Sequence, residues 1–274
     1  VTGCQTCCLP ISHGPVGVLT LDRPERLNAL NTTMLGEIQA VCDAMEADAA
    51  VRVLVVTGAG SAFSSGFDLK EQMEKRPSGV QTWRGILDRD FEATMRFWSL
   101  AKPTIAAVRG ACLAGACEMA LACDITIAAE DAYFGEPELK FGAGIVTMIL
   151  PWVTGPKQAK EIIFNGMDRI PAAEALRLGM INRVVPNGED LAAAMAMARH
   201  IAVIDPELVR ETKRAINRTY EIMGMDTALR AALDSDLAIE SHGSPDKRQF
   251  MDIARAEGLR AAIAWRDRRF AEPE

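Results

Sequence analysis

The sequence predicts an α/β fold: a mainly parallel sheet joined by crossover helices, followed by a region of helices alone. Three observations carry this. Short β-branched runs alternate with amphipathic segments over residues 16–128, the pattern of strand–helix–strand units. One run, Val51 to Thr57 (VRVLVVT), is apolar almost throughout, as a strand covered on both faces must be. From Pro156 onward helical spacing dominates, and no strand signal follows Val185.

Residues 16–21 (VGVLTL) read as the first strand, closed by Asp22-Arg23-Pro24. A helix over about 33–48 follows, with Met34, Leu35, Ile38, Val41, Cys42 and Met45 on one face and Asn31, Thr32 or Thr33 as its cap. Residues 51–57 form a buried strand that runs into Gly58-Ala59-Gly60. The polar stretch 72–78, which contains Pro77, reads as a loop. Residues 83–100 have helical spacing up to the break at Pro103. A strand at 104–108, a helix at 115–123 opened by small residues, a strand at 125–128 and a short one at Tyr133-Phe134 complete the alternation. Helices are predicted at 156–165, 172–178, 190–201, 206–221 and 226–240, with a boundary at Asp205-Pro206.

Composition narrows the function classes. A 49% hydrophobic and 24% charged chain has the means to build a packed core. Its net charge of -7 argues against sequence-independent nucleic-acid binding, which needs a basic field against phosphate. The most apolar stretch, 142–153, is interrupted by Pro151 and falls short of the roughly 20 residues of a membrane helix. Residues 1–10 are uncharged and lack the basic opening of a secretory signal. Four of seven cysteines (Cys42, Cys112, Cys117, Cys123) stand in apolar surroundings, and Cys4, Cys7 and Cys8 form a C-x-x-C-C cluster. Zinc would need two further ligands from a chain with three histidines, so the expectation is no metal, a mobile reduced tail over residues 1–15 and a reducing, cytoplasmic compartment.

The candidates for chemistry are few. Gly58-Ala59-Gly60 after a strand resembles the opening of a dinucleotide fingerprint, but Phe63 occupies the position where helix packing needs Gly or Ala. There is no G-x-S-x-G elbow, no H-E-x-x-H and no Walker lysine, and His13, His200 and His242 stand in loops or at a helix end. Carboxylates and backbone donors remain. Glu118 follows Ala114-Gly115-Ala116-Cys117 at a helix start, where small residues admit a ligand and free amides favour negative charge; it also serves, more plainly, as a residue complementing the helix dipole. Glu138 stands in Gly135-Glu136-Pro137-Glu138-Leu139, and the pattern does not choose between it and Glu136. The small-residue loop from Gly58 to Leu69 follows a buried strand, the usual place for a ligand in such sheets.

Together these segments resemble the crotonase (enoyl-CoA hydratase/isomerase) superfamily. The match rests on Arg23-Pro24-Glu25-Arg26-Leu27-Asn28-Ala29-Leu30, on Phe63-Ser64-Ser65-Gly66-Phe67-Asp68-Leu69, on residues 103–118, and on Cys123-Asp124 through Phe134-Gly135-Glu136-Pro137-Glu138; residues 166–185 are similar to a further family stretch. The resemblance implies a spiral core of ββα units over 16–204 and a helical trimerisation region over 205–274, giving a homotrimer or a dimer of trimers. It implies an acyl-CoA thioester as substrate, coenzyme A being part of that substrate rather than a cofactor, and no nucleic-acid or membrane partner.

The backbone N–H groups of Phe67 and Gly115 map onto the family's oxyanion hole, and Glu118 and Glu138 onto its two carboxylates. Arg26, Leu27, Ala29, Ser65, Phe67, Asp68, Leu69 and Lys70 map onto the CoA contacts, with Arg23, Arg26 and Lys70 as cations for its phosphates. The implied reaction is hydration of a 2-enoyl-CoA: Glu118 activates water for C3, Glu138 delivers a proton to C2. Alternatives are double-bond isomerisation, thioester hydrolysis, or CoA or RNA binding without turnover. One departure stands out: the loop after Glu138, Leu139 to Thr147, is about three residues shorter than the family's usual one. The residues from Trp83 to Trp98 are expected to roof the acyl pocket, their tryptophans favouring apolar acyl groups.

Overall fold

The computed structural model describes residues 7–271. Strand β1 (Cys8–His13) turns at Gly14-Pro15 and pairs antiparallel with β2 (Val16–Leu21). Residues 7–15 are therefore not a mobile tail: Cys8 is buried, and the Cys7 and Cys8 amides both donate to Glu37 Oε2, at 2.7 and 2.8 Å. The segment CLPISH hides its nature because Pro10 is a residue of edge strands, and this strand is the edge of its sheet. Cys4 lies outside the described residues; Cys7 and Cys8 are buried, and the Cys8 thiol donates to the Met34 carbonyl.

Helix α1 (Thr32–Ala47) is capped by the Asn31 side chain, which accepts from the Met34 amide at 2.9 Å. Strand β3 (Val53–Gly58) leads through a loop to α2 (Leu69–Lys75), where a loop was expected over 72–78. The apolar side of α2 is only the pair Leu69 and Met73, packed against Phe250 and its neighbours in the C-terminal helices. Asp68 caps it, accepting from the Lys70 and Glu71 amides, and the Glu71–Lys75 pair at 2.9 Å spans a turn. It ends at Arg76, in the left-handed region before Pro77.

The chain then runs through α3 (Val80–Ser99), β4 (Thr104–Val108), β5 (Ala111–Leu113), α4 (Gly115–Ala122), β6 (Ile125–Ala129) and β7 (Tyr133–Gly135). A 3-10 turn at Glu138–Phe141 follows. Next come α5 (Leu150–Thr154), α6 (Pro156–Phe164), β8 (Ile170–Pro171), α7 (Ala172–Arg177), β9 (Arg183–Val185) and α8 (Asp190–Ile201). Four long helices close the chain: α9 (Pro206–Ile222), α10 (Met225–His242), α11 (Pro245–Glu257) and α12 (Leu259–Phe270). The boundary at Asp205-Pro206 is an N-cap with proline in the first turn.

Six strands form one sheet in the order β1-β2-β3-β4-β6-β9, parallel apart from β1–β2; β5, β7 and β8 form a second. Both faces of the large sheet are covered. Val16, Val18, Val53, Val55, Ile105 and Ile127 meet Ala194, Met195 and Ala198 of α8. The alternate residues Leu19, Leu54, Val56, Ala106 and Ala128 belong to the main core with α1, α3 and α4. The C-terminal helices lie against the elements of the site: α10 on α3, α11 on α2, and α11 and α12 on the 3-10 turn.

One side chain ties the two loops ahead of the site together. Asn28 is fully buried; its Nδ2 donates to the Ala59 and Ala62 carbonyls, both at 2.8 Å, and its Oδ1 accepts from the Arg23 amide at 2.9 Å. Ser64 Oγ donates back to the Asn28 carbonyl at 2.8 Å. Leu27 and Asn28 are both left-handed, a conformation that asparagine tolerates better than most residues. Asn28→Ala strands buried carbonyls and one amide, so it is expected to lower unfolding free energy by about 2–3 kcal/mol in urea titration. A loss well under 1 kcal/mol would show that the clamp is dispensable.

Candidate active site

The loops after β3 and β5 bring two backbone amides together. Leu30 pairs with Phe67 in a parallel bridge that uses the Gly66 carbonyl and the Asp68 amide, so the Phe67 N–H points away from it. Gly115 is the first residue of α4, and its N–H is one of the first-turn donors without a helical acceptor. Neither amide donates to another described residue. They are neighbours because Gly66, at φ +90°, lets the loops touch: a Cβ there would sit 2.8 Å from the Ala114 Cβ and 3.5 Å from the Gly115 nitrogen. A Cβ at Gly115 would run into the Phe67 ring, so the bulky phenylalanine and the absent side chain fit one another. Ala114 stands at φ +54°, ψ −135°, a conformation native to glycine.

Three buried carboxyl groups gather beside α4. Glu118, in the first turn of α4, is 1% exposed; its Oε2 accepts from the Ile149 amide at 2.8 Å while Oε1 has no partner. Glu138 opens the 3-10 turn, is 7% exposed and leaves Oε2 bare. Glu136, on the short link from β7, is 0% exposed with both oxygens bare. Burial drives all three upward as acids. The charge of Glu138 adds to the rise of Glu118 and Glu136. Glu138 itself reaches about 8, because burial and the charge of Asp236 outweigh the lowering by its own amide and the Glu136 side chain. Glu118 differs: the Ile149 and Leu150 amides oppose the rise and favour its charged form. Glu136 lies beside the Cys117 thiol and Glu138 and keeps its proton. The choice between Glu136 and Glu138 left open by the pattern thus dissolves, since the structure brings both to the site.

The segments matched to CoA divide into exposed and committed groups. Arg26, Leu27 and Lys70 are exposed, Ser65 and Leu69 half-buried, and Ala29 buried. Asp68 is committed to its cap and to Arg23, whose Nη1 lies 2.9 Å away and also donates to the Ala29 carbonyl at 2.6 Å. Arg23 is accordingly a brace, which leaves Arg26 and Lys70 as the accessible cations of the three.

The segment from Trp83 to Trp98 reaches the site through Ile86 and Asp90, which line a small cavity with Leu30 and Phe67, and not through its tryptophans. Trp83 is buried beneath the Lys247 ammonium, 4.5 Å from the ring centre. Trp98 meets Tyr220 edge-on at 5.6 Å and lines a separate 730 Å³ cleft between α9 and the core, which contains none of Phe67, Gly115, Glu118 and Glu138. Sequence reasoning missed Asp236 of α10, buried with both oxygens bare and raising Glu138 by its charge, because one acid on a long polar helix carries no pattern. Asn28 stood within a matched motif but gave no sign of its clamp. Among the described residues no cluster of His, Cys, Asp or Glu is arranged to hold a metal ion, and no helix is long and apolar enough to cross a membrane.

Comparison with known proteins is consistent across sequence and structure. A family model described as enoyl-CoA hydratase/isomerase matches residues 12–256. A crystal structure of an enoyl-CoA hydratase/isomerase from Xanthobacter autotrophicus Py2 is 63% identical, with a TM-score of 0.96 over 97% of this chain and 98% of that one. A short-chain-enoyl-CoA hydratase of Clostridium acetobutylicum is 37% identical over 258 residues, 90% of this chain and 95% of the relative. An enoyl-CoA hydratase structure from Mycobacterium smegmatis is 25% identical, with a TM-score of 0.88 over 96% and 94% of the two chains.

The protonated Glu136 has a consequence for stability. Its acidity in the fold is weaker than the ordinary 4.5 that an unfolded chain presents, so the native state holds the extra proton. That contribution is complete at acid pH and is lost as pH rises through the folded value. The melting temperature should therefore fall between pH 5 and pH 9, and fall less in Glu136→Gln. Calorimetry that finds the same fall in both proteins would contradict a neutral Glu136.

Proposed function

The chain belongs to the enoyl-CoA hydratase/isomerase family, and from that membership we propose that it adds water across the C2=C3 bond of a 2-enoyl-CoA, giving a 3-hydroxyacyl-CoA. The observation that carries this reading is the pairing of two buried carboxyls, each with a bare oxygen, against two undonated backbone amides. Water bound between Glu118 and Glu138 meets a base and an acid at once. Glu118, whose charge is supported by the Ile149 and Leu150 amides, takes a proton from water as its oxygen bonds to C3. The π electrons move toward the thioester oxygen, where the Phe67 and Gly115 N–H groups receive the charge, each worth about 3 kcal/mol in such sites.

Collapse of that enolate takes a proton at C2 from Glu138, which burial keeps protonated up to about pH 8. The proton gained by Glu118 then passes back to Glu138 and resets the pair. The atoms balance with water alone, so the reaction as written needs no redox or metal cofactor. Arg26 and Lys70 are placed at the CoA phosphates, with the backbone about Leu27, Ala29, Ser65, Asp68 and Leu69 along the carrier. Self-association, as a trimer or dimer of trimers, has a matching surface on α9 and its approach, where Val203, Leu208, Ile222 and Met223 are exposed apolar residues.

The test is mass spectrometry of 2-enoyl-CoA esters turned over in ¹⁸O-water. Label in an intact 3-hydroxyacyl-CoA supports the proposal; free CoA with labelled acid would mean hydrolysis instead. Glu118→Gln and Glu138→Gln should each lower kcat/KM by about 10²–10⁴-fold. The wild-type kcat/KM should decline as pH rises through about 8, where Glu138 loses the proton it must donate. An alkaline limb that persists in the residual activity of Glu138→Gln would assign it to another group.

A further inference from the structure

Asp236 is the buried polar group that the hydration scheme leaves idle. It is 2% exposed on α10, and neither carboxyl oxygen has a partner. Its Oδ1 stands over Gly144, where any Cβ would collide with it, and Gly144 belongs to the shortened loop that follows Glu138. Asp236 is thus close enough to Glu138 for its charge to raise that acid, while Asp90 of α3 and Lys247 of α11 flank it on the other side. Lys247 acts on Asp236 by its charge, while its ammonium also meets Glu240 and the face of Trp83. A carboxyl buried without a partner is costly, and the cost is removed when a ligand brings a donor.

We propose that Asp236 is a specificity-determining residue that accepts a hydrogen bond from a hydroxyl on the acyl chain beyond C3, so that the enzyme prefers hydroxylated 2-enoyl-CoA esters to plain alkyl ones. The proposal rests on the hydration reading, because Asp236 faces the acyl chain only if Glu138 faces C2. A hydroxyl suits this lining better than an ammonium. Lys247 already supplies a positive charge beside Asp236, and a second ion would add its own desolvation. The same loop also carries Thr147, 1% exposed with its own hydroxyl unpartnered. Asp236 is thus an unpartnered acceptor and Thr147 an unpartnered hydroxyl on the same loop's approach, and a hydroxyl of the ligand can serve as donor and acceptor.

The experiment compares kcat/KM for 4-hydroxy-2-butenoyl-CoA and 5-hydroxy-2-pentenoyl-CoA with that for 2-butenoyl-CoA and 2-pentenoyl-CoA. At least one hydroxylated ester is expected to exceed the alkyl ester of equal length tenfold or more. Asp236→Asn should reduce that ratio and Asp236→Leu should bring it below one. A wild-type ratio at or below one, or a ratio that survives in Asp236→Leu, would overturn the proposal, and the wild-type comparison does not depend on either variant folding. Should none of the four esters be hydrated, calorimetric binding of 4-hydroxybutanoyl-CoA against butanoyl-CoA separates the two readings. A preference for the hydroxylated ester that Asp236→Leu abolishes would sustain the role of Asp236 while overturning hydration. Equal affinities would overturn both.

Discussion

The desolvation of Glu118, Glu136 and Glu138 is the constraint around which this molecule is arranged. Three carboxyl groups buried side by side cannot all be charged, because an isolated buried charge costs far more than any single contact returns. Glu118 accepts from two amides of the segment after the loop, whereas Glu138 has only its own. A hydrogen bond to a charged group contributes about 1.5–3 kcal/mol, and Glu118 has the Ile149 amide at 2.8 Å with that of Leu150 alongside. Within the cluster, negative charge is best supported by backbone donors at Glu118. That asymmetry gives the site a direction: the base is the residue with two amides behind it, and the acid is the one left with its own alone.

The backbone around the cluster meets a second demand, which is to leave two amides undonated in a dry place. Regular structure satisfies such groups, so the site has to be built from turns. Ala114 occupies a glycine conformation at a strain of about 1–3 kcal/mol, and Gly66 and Gly115 remove the side chains that would hold the loops apart. Asn28 offsets the strain by satisfying carbonyls that the irregular loop leaves free. The Arg23–Asp68 pair then fixes the far end of the same loop to the start of α2.

These physical origins explain what the sequence disclosed. Strands covered on both faces announce themselves as apolar β-branched runs, and the parallel sheet was legible for that reason. The amide positions were legible too, since close backbone approach demands small residues in a fixed order around Gly66 and Gly115. Helix α2 was not, because its apolar side is two residues, Leu69 and Met73, and caps and ion pairs supply the rest. Strand β1 was hidden by Pro10 at a sheet edge. Asp236 was beyond reach for a different reason: its meaning lies in meeting Glu138 across about a hundred residues of chain, and nothing in its own neighbourhood encodes that contact.

The distribution of charge gives an acidic chain a consistent way to take an anionic thioester. On the proposed reading, the accessible cations Arg26 and Lys70 lie on the exposed side of the turn, while Arg23 is neutralised by Asp68. The interior holds carboxyls and two amide dipoles. Phosphates are attracted to the first region and repelled by the second, and the thioester oxygen finds its donors only at Phe67 and Gly115. A CoA ester can therefore enter in one sense alone, acyl group inward. The C-terminal helices then bear on both ends of that path: α11 packs on α2, which holds Leu69 and Lys70, while α10 brings the charge of Asp236 to bear on Glu138. Chemistry set by backbone geometry and specificity set by side chains of a different region are separable, so a change in α10 can redirect the substrate without disturbing the turn that activates it.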